Sequence, residues 1–205
     1  MKMKKYFITS LFIGTLLLVN GLTAQKKNKD NTSDDLLRVK PKLVVGIIVD
    51  QMRYDYLTRF YNGFGDDGFK KLIEQGFNCK NNHFNYAPTS TAPGHTSVFT
   101  GASPSTHGII GNDWYDKEID ASVYCAGDDT YTSVGTSSNA GKMSPHRMTV
   151  TTITDELRLS TQMQGKTIAV ALKDRGAVLP GGHTANAAYW FHGADEGKWI
   201  TSTYY

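Results

Sequence analysis

Apolar residues are concentrated in blocks along this chain, and the blocks differ in the period at which they repeat. Residues 42–50 are an almost continuous run of β-branched and other apolar side chains, typical of a strand buried on both faces of a parallel sheet. Residues 167–172 form a second run of this kind, and residues 185–192 and 198–205 also favour strands. Helix-forming stretches lie between them, so the sequence predicts an α/β fold with a doubly wound, mostly parallel sheet and helices on both faces.

Helices are indicated by apolar spacing and by residues that start or stop them. Residues 53–61 mix aromatic and charged side chains and favour a helix with one face on the sheet. Residues 67–75 carry apolar side chains at helical spacing and end at Gly76, a residue typical of the C′ position. Residues 77–86 then predict a strand that leads to Thr91.

The second half of the chain begins with a less regular stretch. Residues 116–143 are rich in Asp, Ser, Thr and Gly without periodicity, which predicts a surface excursion with one short strand near residues 122–125. Ser144 and Pro145 are a typical cap and first residue of a helix. The buried side of that helix is predicted to consist of Val150, Ile153, Leu157 and Leu159.

Two positions at the ends of these blocks are candidates for chemistry. Thr91 precedes Ala-Pro-Gly and is predicted to be the N-cap of a helix, whose free N–H groups and partial positive charge suit an anion. Capping alone is the commoner role of such a threonine. Asp50 ends the first apolar run, and ligands of open α/β sheets bind beyond the carboxyl ends of strands. A metal ligand and the cap of a helix beginning near Arg53 are equally good interpretations of Asp50.

The amino terminus has the pattern of an export signal. Residues 1–24 contain a basic start, a short apolar segment and a small residue, Ala24, where a signal peptidase would cut. An uncleaved anchor is the alternative, although the apolar segment is short for a membrane span. Residues 25–41 are predicted to be a flexible linker before a folded domain over residues 42–205. We therefore expect a periplasmic or secreted protein without membrane attachment after signal removal.

Charge and cysteine content narrow the classes of partner. The formal net charge of the chain is +3, and Lys2, Lys4 and Lys5 of the signal account for it. A neutral mature chain has no general basic field, which argues against nucleic acid as a partner. Cys79 and Cys125 lack the paired spacing of a zinc motif. In an exported protein they are candidates for a disulfide, and the sequence leaves open whether they meet.

Several short motifs follow one another in the order and spacing of a known superfamily. They are Val49-Asp50-Gln51-Met52-Arg53, Pro88-Thr89-Ser90-Thr91 with Gly94-His95, His107-Gly108-Ile109 with Gly111-Asn112, Thr151-Thr152-Ile153-Thr154-Asp155, and Lys173-Asp174-Arg175. With these motifs, the chain after residue 41 resembles the alkaline phosphatase superfamily, on the branch of type I phosphodiesterases, nucleotide pyrophosphatases and phosphate-irrepressible alkaline phosphatases. The resemblance is greatest to the last of these groups.

The resemblance implies a hydrolase that uses a threonine nucleophile and two zinc ions. Thr91 would form a phosphothreonine intermediate, and Asp50 and Thr91 would be ligands of the zinc ion that activates the hydroxyl. An unassisted threonine hydroxyl is a poor nucleophile near neutral pH, and coordination to a metal ion makes its alkoxide available. Asn112 would donate a hydrogen bond to a phosphoryl oxygen, although on local sequence alone it is more simply a turn residue after Gly111.

Lys173 and Arg175 indicate the type of ester. Two basic residues after a strand usually belong to a solvated loop, but here they align with the lysine and arginine that phosphate-irrepressible alkaline phosphatases use around the phosphoryl group. A monoester dianion carries one more negative charge than a diester, so additional cations favour monoesters. The resemblance therefore implies an alkaline phosphatase acting on small-molecule phosphate monoesters, with a phosphodiesterase or nucleotide pyrophosphatase as the alternative.

The rest of the family's metal site is not recognisable in this sequence. Beyond Arg175 there is no convincing pair of aspartate and histidine ligands, and the sequence stops within strand-like residues. His95 and His107 are predicted to be structural. We therefore expect an amino-terminal fragment, with a fold incomplete at its C-terminus, that binds zinc weakly and has little activity. A naturally short, non-catalytic phosphate-binding protein is a further alternative, whereas a sulfatase is disfavoured because position 91 holds neither cysteine nor serine.

Overall fold

A computed structural model describes residues 41–193 and 196–205. The predicted signal, residues 1–24, and the predicted linker up to residue 40 lie outside the described residues. Residues 41–47 contain no helix or strand, and their side chains are exposed. Residues 48–205 form a compact unit that contains every described helix and strand.

The described elements begin with short helices and continue with strands. The helices are α1 (Tyr56–Arg59), a 3₁₀ turn (Tyr61–Gly63), α2 (Phe69–Gln75), α3 (Thr91–Thr100) and α4 (Pro104–His107). They are followed by β1 (Asp113–Asp116), β2 (Ala121–Tyr124), β3 (Ser133–Val134) and a 3₁₀ turn (Asn139–Gly141). The last elements are α5 (Ile153–Ser160), β4 (Ile168–Ala171), α6 (Asp174–Gly181), β5 (Ala187–His192) and β6 (Lys198–Ser202). None of the described helices is long and apolar enough to span a membrane.

The main sheet has four strands in the order β3-β6-β5-β4. Strands β4 and β5 are parallel and are connected through α6, which packs against both of them. The other described pairs of this sheet are antiparallel, and Trp190 of β5 lies opposite Ile200 of β6. Both residues are buried together with Val178 and Leu179 of α6. The core therefore lies between α6 and the sheet, and the chain has the α/β class that the sequence predicts.

The sequence locates the later strands and two of the helices correctly. Strands β4, β5 and β6 lie within the three predicted stretches, and α2 begins at Phe69 and ends at Gln75, with Gly76 as its C-cap residue. Gly76 has extended dihedral angles rather than the left-handed ones typical of C′. The C-cap residue of helix α3 is Gly101, which has a φ of +68° and is left-handed as glycine permits.

Helix α6 has little helical signature in the sequence because it contains Gly176, Pro180 and Gly181. A Cβ atom at Gly176 would lie 3.2 Å from the Cβ of Ala171, and one at Gly181 would lie 3.4 Å from the Cβ of Ala169. The glycines thus allow the helix to approach β4 closely. Packing against the sheet, rather than intrinsic propensity, accounts for this helix.

Two predicted strands are not found among the described residues. Residues 42–50 and 77–86 belong to no strand, and most of their large apolar side chains are exposed, with Leu43 at 77% and Phe77 at 92%. An apolar run forms a buried strand only when it has hydrogen-bonded neighbours and a layer over each face. The described residues supply neither for these segments, so both predictions are wrong for this structure.

The helix predicted to start at Ser144 begins instead at Ile153. Its predicted apolar side is also wrong, because Ile153, Leu157 and Leu159 are all exposed. The buried residue of α5 is Asp155. A polar capping motif, rather than an apolar stripe, therefore fixes the position of this helix.

The strand predicted near residues 122–125 is confirmed as β2, and it forms a hairpin with β1, which the sequence does not indicate. The pairing places Asp113 opposite Tyr124. The backbone N–H of Cys125 donates to the carbonyl of Asn112 at 2.9 Å, which closes the open end of the hairpin. Asn112 and Tyr124 are therefore held at the same end of one hairpin.

The buried carboxylate of Asp155 connects the start of α5 to the chain after α6. Thr152 and Asp155 form a capping box, in which each side chain accepts a hydrogen bond from the backbone N–H of the other. Oδ1 of Asp155 also accepts from the backbone N–H and the hydroxyl of Thr184, at 2.7 and 2.8 Å. Burial opposes ionisation of Asp155, but these hydrogen bonds outweigh it and lower the pKa of the carboxyl. Gly182 passes so close that a Cβ there would lie 2.4 Å from the carboxylate.

We expect Asp155→Ala to lower the free energy of unfolding by about 2–4 kcal/mol, because it leaves the N–H groups of buried Thr152 and half-buried Thr184 without an acceptor. Since the pKa of Asp155 is lowered in the folded state, its stabilisation is present above the unfolded pKa of about 4 and is lost as the pH falls through the folded value. The difference between wild type and variant, measured by urea unfolding, should therefore be smaller near pH 3 than at pH 7.

Glu156→Ala is the matched control, because it removes an exposed carboxylate from the same helical turn. It should change the free energy of unfolding by less than about 1 kcal/mol. Equal losses in the two variants would contradict the role assigned to the buried carboxylate.

Candidate active site

Thr91 lies at the start of α3. The N-cap residue is Ser90, and Thr91 is the first helical residue, so the predicted cap is wrong by one position. The hydroxyl of Thr91 donates instead to the carboxylate of Asp50, with 3.1 Å between Oγ1 and Oδ2. Two candidate residues that are 41 positions apart in the sequence are thus in direct contact.

Asp50 lies in an exposed turn rather than at the end of a strand. The next residue, Gln51, has a φ of +60°. Helix α1 starts at Tyr56 with Asp55 at its N-cap position, so Asp50 caps no described helix. The capping interpretation is therefore wrong, and the carboxylate of Asp50 faces the Thr91 hydroxyl.

The side chain of Asn112 completes the start of α3. Its Oδ1 accepts a hydrogen bond from the backbone N–H of Ala92 at 2.9 Å, which satisfies one of the free N–H groups at this helix end. The contact leaves Nδ2 as the donor that can serve another partner. The glycine-rich segment after α4 thus returns the side chain of Asn112 to the start of α3, next to Thr91.

Lys173 and Arg175 lie at the start of α6, which packs against α3. Lys173 is the exposed N-cap residue, and the side chain of Arg175 is 18% exposed. The charges of Lys173 and Arg175 both affect the pKa of His95, which lies one turn into α3. Burial is the main cause that lowers the pKa of His95, the charge of Asp50 opposes this, and Arg175 and Lys173 lower the pKa further. The charges of three candidate residues therefore act on one imidazole close to Thr91.

Arg175 is held by neighbours that sequence reasoning missed. Its Nη1 donates to the hydroxyl of Tyr124 at 2.9 Å, and Tyr124 in turn donates to the carboxylate of Asp174. The Nε of Arg175 is buried and makes no hydrogen bond with the described residues. Tyr124 lies 51 positions from Arg175, so no local sequence pattern could have shown this contact.

Asp50 and Thr91 are oxygen donors of a type that zinc accepts, and their contact distance allows both to face one ion. Within the part of the chain that the structure describes, no group of three or more His, Cys, Asp or Glu side chains could hold a metal ion. The described residues therefore fit part of a zinc site and do not complete one.

The two cysteines are free thiols in this structure. Cys79 is exposed and Cys125 is buried, so the disulfide that the sequence left open is not formed. Burial raises the pKa of the Cys125 thiol to about 12, with a further contribution from Asp174. The thiol of Cys125 is therefore neutral and packs as part of the core.

His107 belongs to a buried network that supports α3. Its Nδ1 accepts from the backbone N–H of Ile109 at 3.1 Å, so Nε2 carries the proton and donates to the hydroxyl of Ser97 at 3.0 Å. Ser97 is also 2.7 Å from the hydroxyl of Tyr86. Burial lowers the pKa of His107. The structure therefore agrees with the structural role predicted for this histidine.

The fold and the site together define an α/β protein in which a hydroxyl at a helix start lies beside a carboxylate and near two cationic side chains. This arrangement suits a phosphate-like anion. The chain belongs to the type I phosphodiesterase / nucleotide pyrophosphatase family, whose family model matches residues 44–205.

The relatives of this chain include several alkaline phosphatases. Alkaline phosphatase PafA of Elizabethkingia meningoseptica is 50% identical over 194 residues, which are 94% of this chain and 34% of the relative. Alkaline phosphatase PhoV of Synechococcus elongatus is 54% identical over 166 residues, which are 81% of this chain and 30% of the relative. The chain thus spans about a third of the length of the curated relatives it matches.

The described fold is similar to that of a solved relative. The crystal structure of wild-type alkaline phosphatase PafA superimposes with a TM-score of 0.79 at 54% identity, over 81% of this chain and 32% of that one. A variant of the same protein, with one threonine changed to serine and one asparagine, one lysine and one arginine changed to alanine, gives the same TM-score. The chain therefore has an incomplete alkaline phosphatase-like fold.

His107→Gln should remove one pH dependence from the stability of the protein. Because the folded-state pKa of His107 lies below its unfolded value near 6.5, its neutral form contributes stability above that pH, and this contribution is lost as the pH falls. Glutamine keeps a donor and an acceptor but does not titrate. Between pH 7 and pH 5, thermal unfolding should therefore show a smaller loss of stability in the variant than in the wild type.

His83→Gln serves as the matched control, since His83 is exposed. Its stability should follow the wild type over the same pH range. If the two variants show the same pH dependence, the network around His107 does not hold a neutral imidazole.

Proposed function

We propose that the full-length protein is an exported, zinc-dependent phosphate monoester hydrolase of the alkaline phosphatase type that acts through a phosphothreonine at Thr91. The alternative within the same family is a phosphodiesterase or nucleotide pyrophosphatase. The observation that carries the proposal is the 3.1 Å contact between the hydroxyl of Thr91 and the carboxylate of Asp50. Thr91 begins α3, and α3 packs against α6, the helix that bears Arg175.

In this proposal the oxygen of Thr91 attacks the phosphorus of the ester. Oγ1 loses its proton to solvent and forms a bond to phosphorus, while the bond between phosphorus and the alcohol oxygen breaks and that oxygen takes a proton from water. Water later hydrolyses the phosphothreonine, which restores the hydroxyl and releases phosphate. When bound, a zinc ion held by Asp50 and Thr91 would lower the pKa of the hydroxyl, and a second zinc ion would stabilise the leaving oxygen. The N–H groups of the first turn of α3 favour an anion at this place.

Asn112, Lys173 and Arg175 would bind the phosphoryl oxygens that are not transferred. Asn112 would donate through Nδ2, because its Oδ1 already accepts from Ala92. The side chain of Lys173 is exposed, so its ammonium is available to a ligand. Two cations favour a dianionic monoester over a monoanionic diester, which is the reason for proposing a phosphomonoesterase.

The names of the relatives support this proposal, since PafA and PhoV are alkaline phosphatases. The PafA variant replaces a threonine, an asparagine, a lysine and an arginine, which are the residue types of the four catalytic candidates. In that variant the threonine and the asparagine are the same number of positions apart as Thr91 and Asn112, and the lysine and arginine are two positions apart, as Lys173 and Arg175 are.

The zinc proposal requires ligands in addition to Asp50 and Thr91, which the described residues do not provide. Because the chain spans about a third of its curated relatives, we propose that the isolated 205-residue polypeptide binds zinc weakly and has little activity.

We also propose that residues 1–24 are a cleaved export signal and that residues 25–41 are a linker. The mature protein would then be periplasmic or secreted. Its partners would be small-molecule phosphate esters and not nucleic acid or membrane.

We expect Thr91→Ala in the full-length protein to lower monoester hydrolysis at least about a thousand-fold, because it removes the nucleophile. Thr91→Ser keeps a hydroxyl and should retain far more activity. Labelling with a radioactive phosphomonoester, followed by acid quench and peptide mapping, should place the label on residue 91 in wild type and on no residue in the alanine variant.

Chelation is the companion measurement, because the proposal depends on zinc. Dialysis against a chelator should abolish turnover, and added zinc should restore it. Full activity of Thr91→Ala, or full activity after removal of all divalent ions, would overturn the proposal.

Replacing Lys173 and Arg175 by alanine should lower kcat/KM for a monoester by about 100-fold or more, because each cation stabilises negative charge on the phosphoryl group. A matched diester with the same leaving group should be affected much less, so the ratio of monoester to diester rates should fall. Lys166→Ala, an exposed lysine before β4, is the control and should leave the ratio unchanged. An unchanged ratio in the double variant would favour the phosphodiesterase alternative.

A further inference from the structure

We propose that Tyr124 is a positioning residue that, together with Asp174, orients the guanidinium of Arg175 towards the phosphoryl group. The inference rests on the proposed function, because it gives Arg175 the task of binding a phosphoryl oxygen. It adds two residues outside the candidate site to the group that determines the preference for monoesters.

The contacts of Tyr124 form a chain of directed hydrogen bonds. Nη1 of Arg175 donates to the hydroxyl oxygen of Tyr124 at 2.9 Å, and the Tyr124 hydroxyl donates its proton to Oδ1 of Asp174. A phenol has one proton. Because that proton points to Asp174, the phenol oxygen can only accept a hydrogen bond from Arg175. This contact holds the guanidinium in one orientation.

The carboxylate of Asp174 lies farther from the guanidinium of Arg175 than the hydroxyl of Tyr124 does. The distance from Nη1 of Arg175 to Oδ1 of Asp174 is 4.0 Å, at the outer limit of an ion pair. The same carboxylate oxygen accepts the backbone N–H of Arg175 at the start of α6. Tyr124 therefore makes the closer contact to the guanidinium, and the carboxylate acts on it mainly through the phenol.

A neutral phenol is a suitable partner for a cation that has to bind phosphate. A carboxylate in direct contact with Arg175 would cancel much of its charge, whereas the phenol accepts a hydrogen bond and carries no charge. Burial, reinforced by the charge and hydrogen bond of Asp174, raises the pKa of Tyr124 well above its usual range. The phenol therefore keeps its proton throughout the alkaline range.

Hydrogen bonds of the backbone around Tyr124 fix the position of the residue that contacts Arg175. Tyr124 ends β2, and the neighbouring residue, Cys125, donates its N–H to the carbonyl of Asn112 at 2.9 Å. The carbonyl of Tyr124 accepts from Nε of Arg147 at 3.2 Å. One end of the β1–β2 hairpin therefore supports both Asn112, through its backbone, and Arg175, through a side chain.

A double-mutant cycle in the full-length protein tests this inference. Tyr124→Phe keeps the ring and removes the hydroxyl, and we expect it to lower kcat/KM for a monoester by about tenfold and to change the diester rate less. Arg175→Ala should cause a larger loss. If Tyr124 acts through Arg175, adding Tyr124→Phe to Arg175→Ala should cause no further loss, because the group that it orients is gone.

Tyr115→Phe is the matched control. Tyr115 lies on the neighbouring strand β1, and its hydroxyl also donates to a carboxylate, that of Asp120, but it is exposed and makes no contact with Arg175. It should leave both rates unchanged. Asp174→Ala is the second test variant, because it keeps the Tyr124 side chain but removes the acceptor of the phenol proton. Like Tyr124→Phe, it should lower the monoester rate.

Binding of inorganic phosphate, measured by calorimetry on the same variants, separates this inference from the proposed function. Tyr124→Phe should weaken phosphate binding about tenfold when Arg175 is present and not at all when it is absent. If the wild type binds phosphate in this way but does not hydrolyse monoesters, the proposed function fails and the positioning role stands. If the losses from Tyr124→Phe and Arg175→Ala simply add, or if Tyr124→Phe changes neither binding nor rate, the positioning role is wrong.

Discussion

The candidate site depends on the packing of α3 against α6, because each helix carries part of it near its amino-terminal end. Thr91 begins the first helix, and Lys173 and Arg175 lie at the start of the second. Helix starts carry free N–H groups and partial positive charge. Together with an ammonium and a guanidinium, they produce a local preference for anions in a chain whose predicted mature form has no net charge. The site therefore needs no basic surface around it.

Two buried polar side chains, Asp155 and His107, help to hold these two helices in place, and both have hydrogen-bond partners. Asp155 accepts bonds from Thr152 and Thr184 next to the end of α6, and His107 supports α3 through Ser97. A buried polar group without partners costs about 1–3 kcal/mol, so such networks tolerate little displacement. The apolar core alone, which lies between α6 and the sheet, would constrain the direction of the helix starts less strictly.

Elements that are determined by their own residues can be predicted from the sequence. Elements and contacts that depend on residues far away in the chain cannot. Strand β4 and helix α3 are marked by their own residues, and the motif around Thr91 indicates the site. The run at residues 42–50 is apolar enough for a buried strand, but burial needs neighbours that the described residues do not supply. Asp155 gives no apolar signal for α5, and the contact between Tyr124 and Arg175 crosses 51 positions. These features follow from packing and could not be predicted from local pattern.

The contact between Thr91 and Asp50 positions two oxygen atoms, and on its own it does not activate the hydroxyl. Carboxylates are protonated only near pH 4, whereas water and simple alcohols lose a proton near pH 16. A difference of about 12 pKa units corresponds to roughly 16 kcal/mol, far more than a hydrogen bond contributes, so contact with a carboxylate does not by itself produce the alkoxide. A cation at the oxygen would stabilise the alkoxide and so favour attack on phosphorus. This stabilisation is the physical reason for including zinc in the proposal, with Asp50 as one of its ligands.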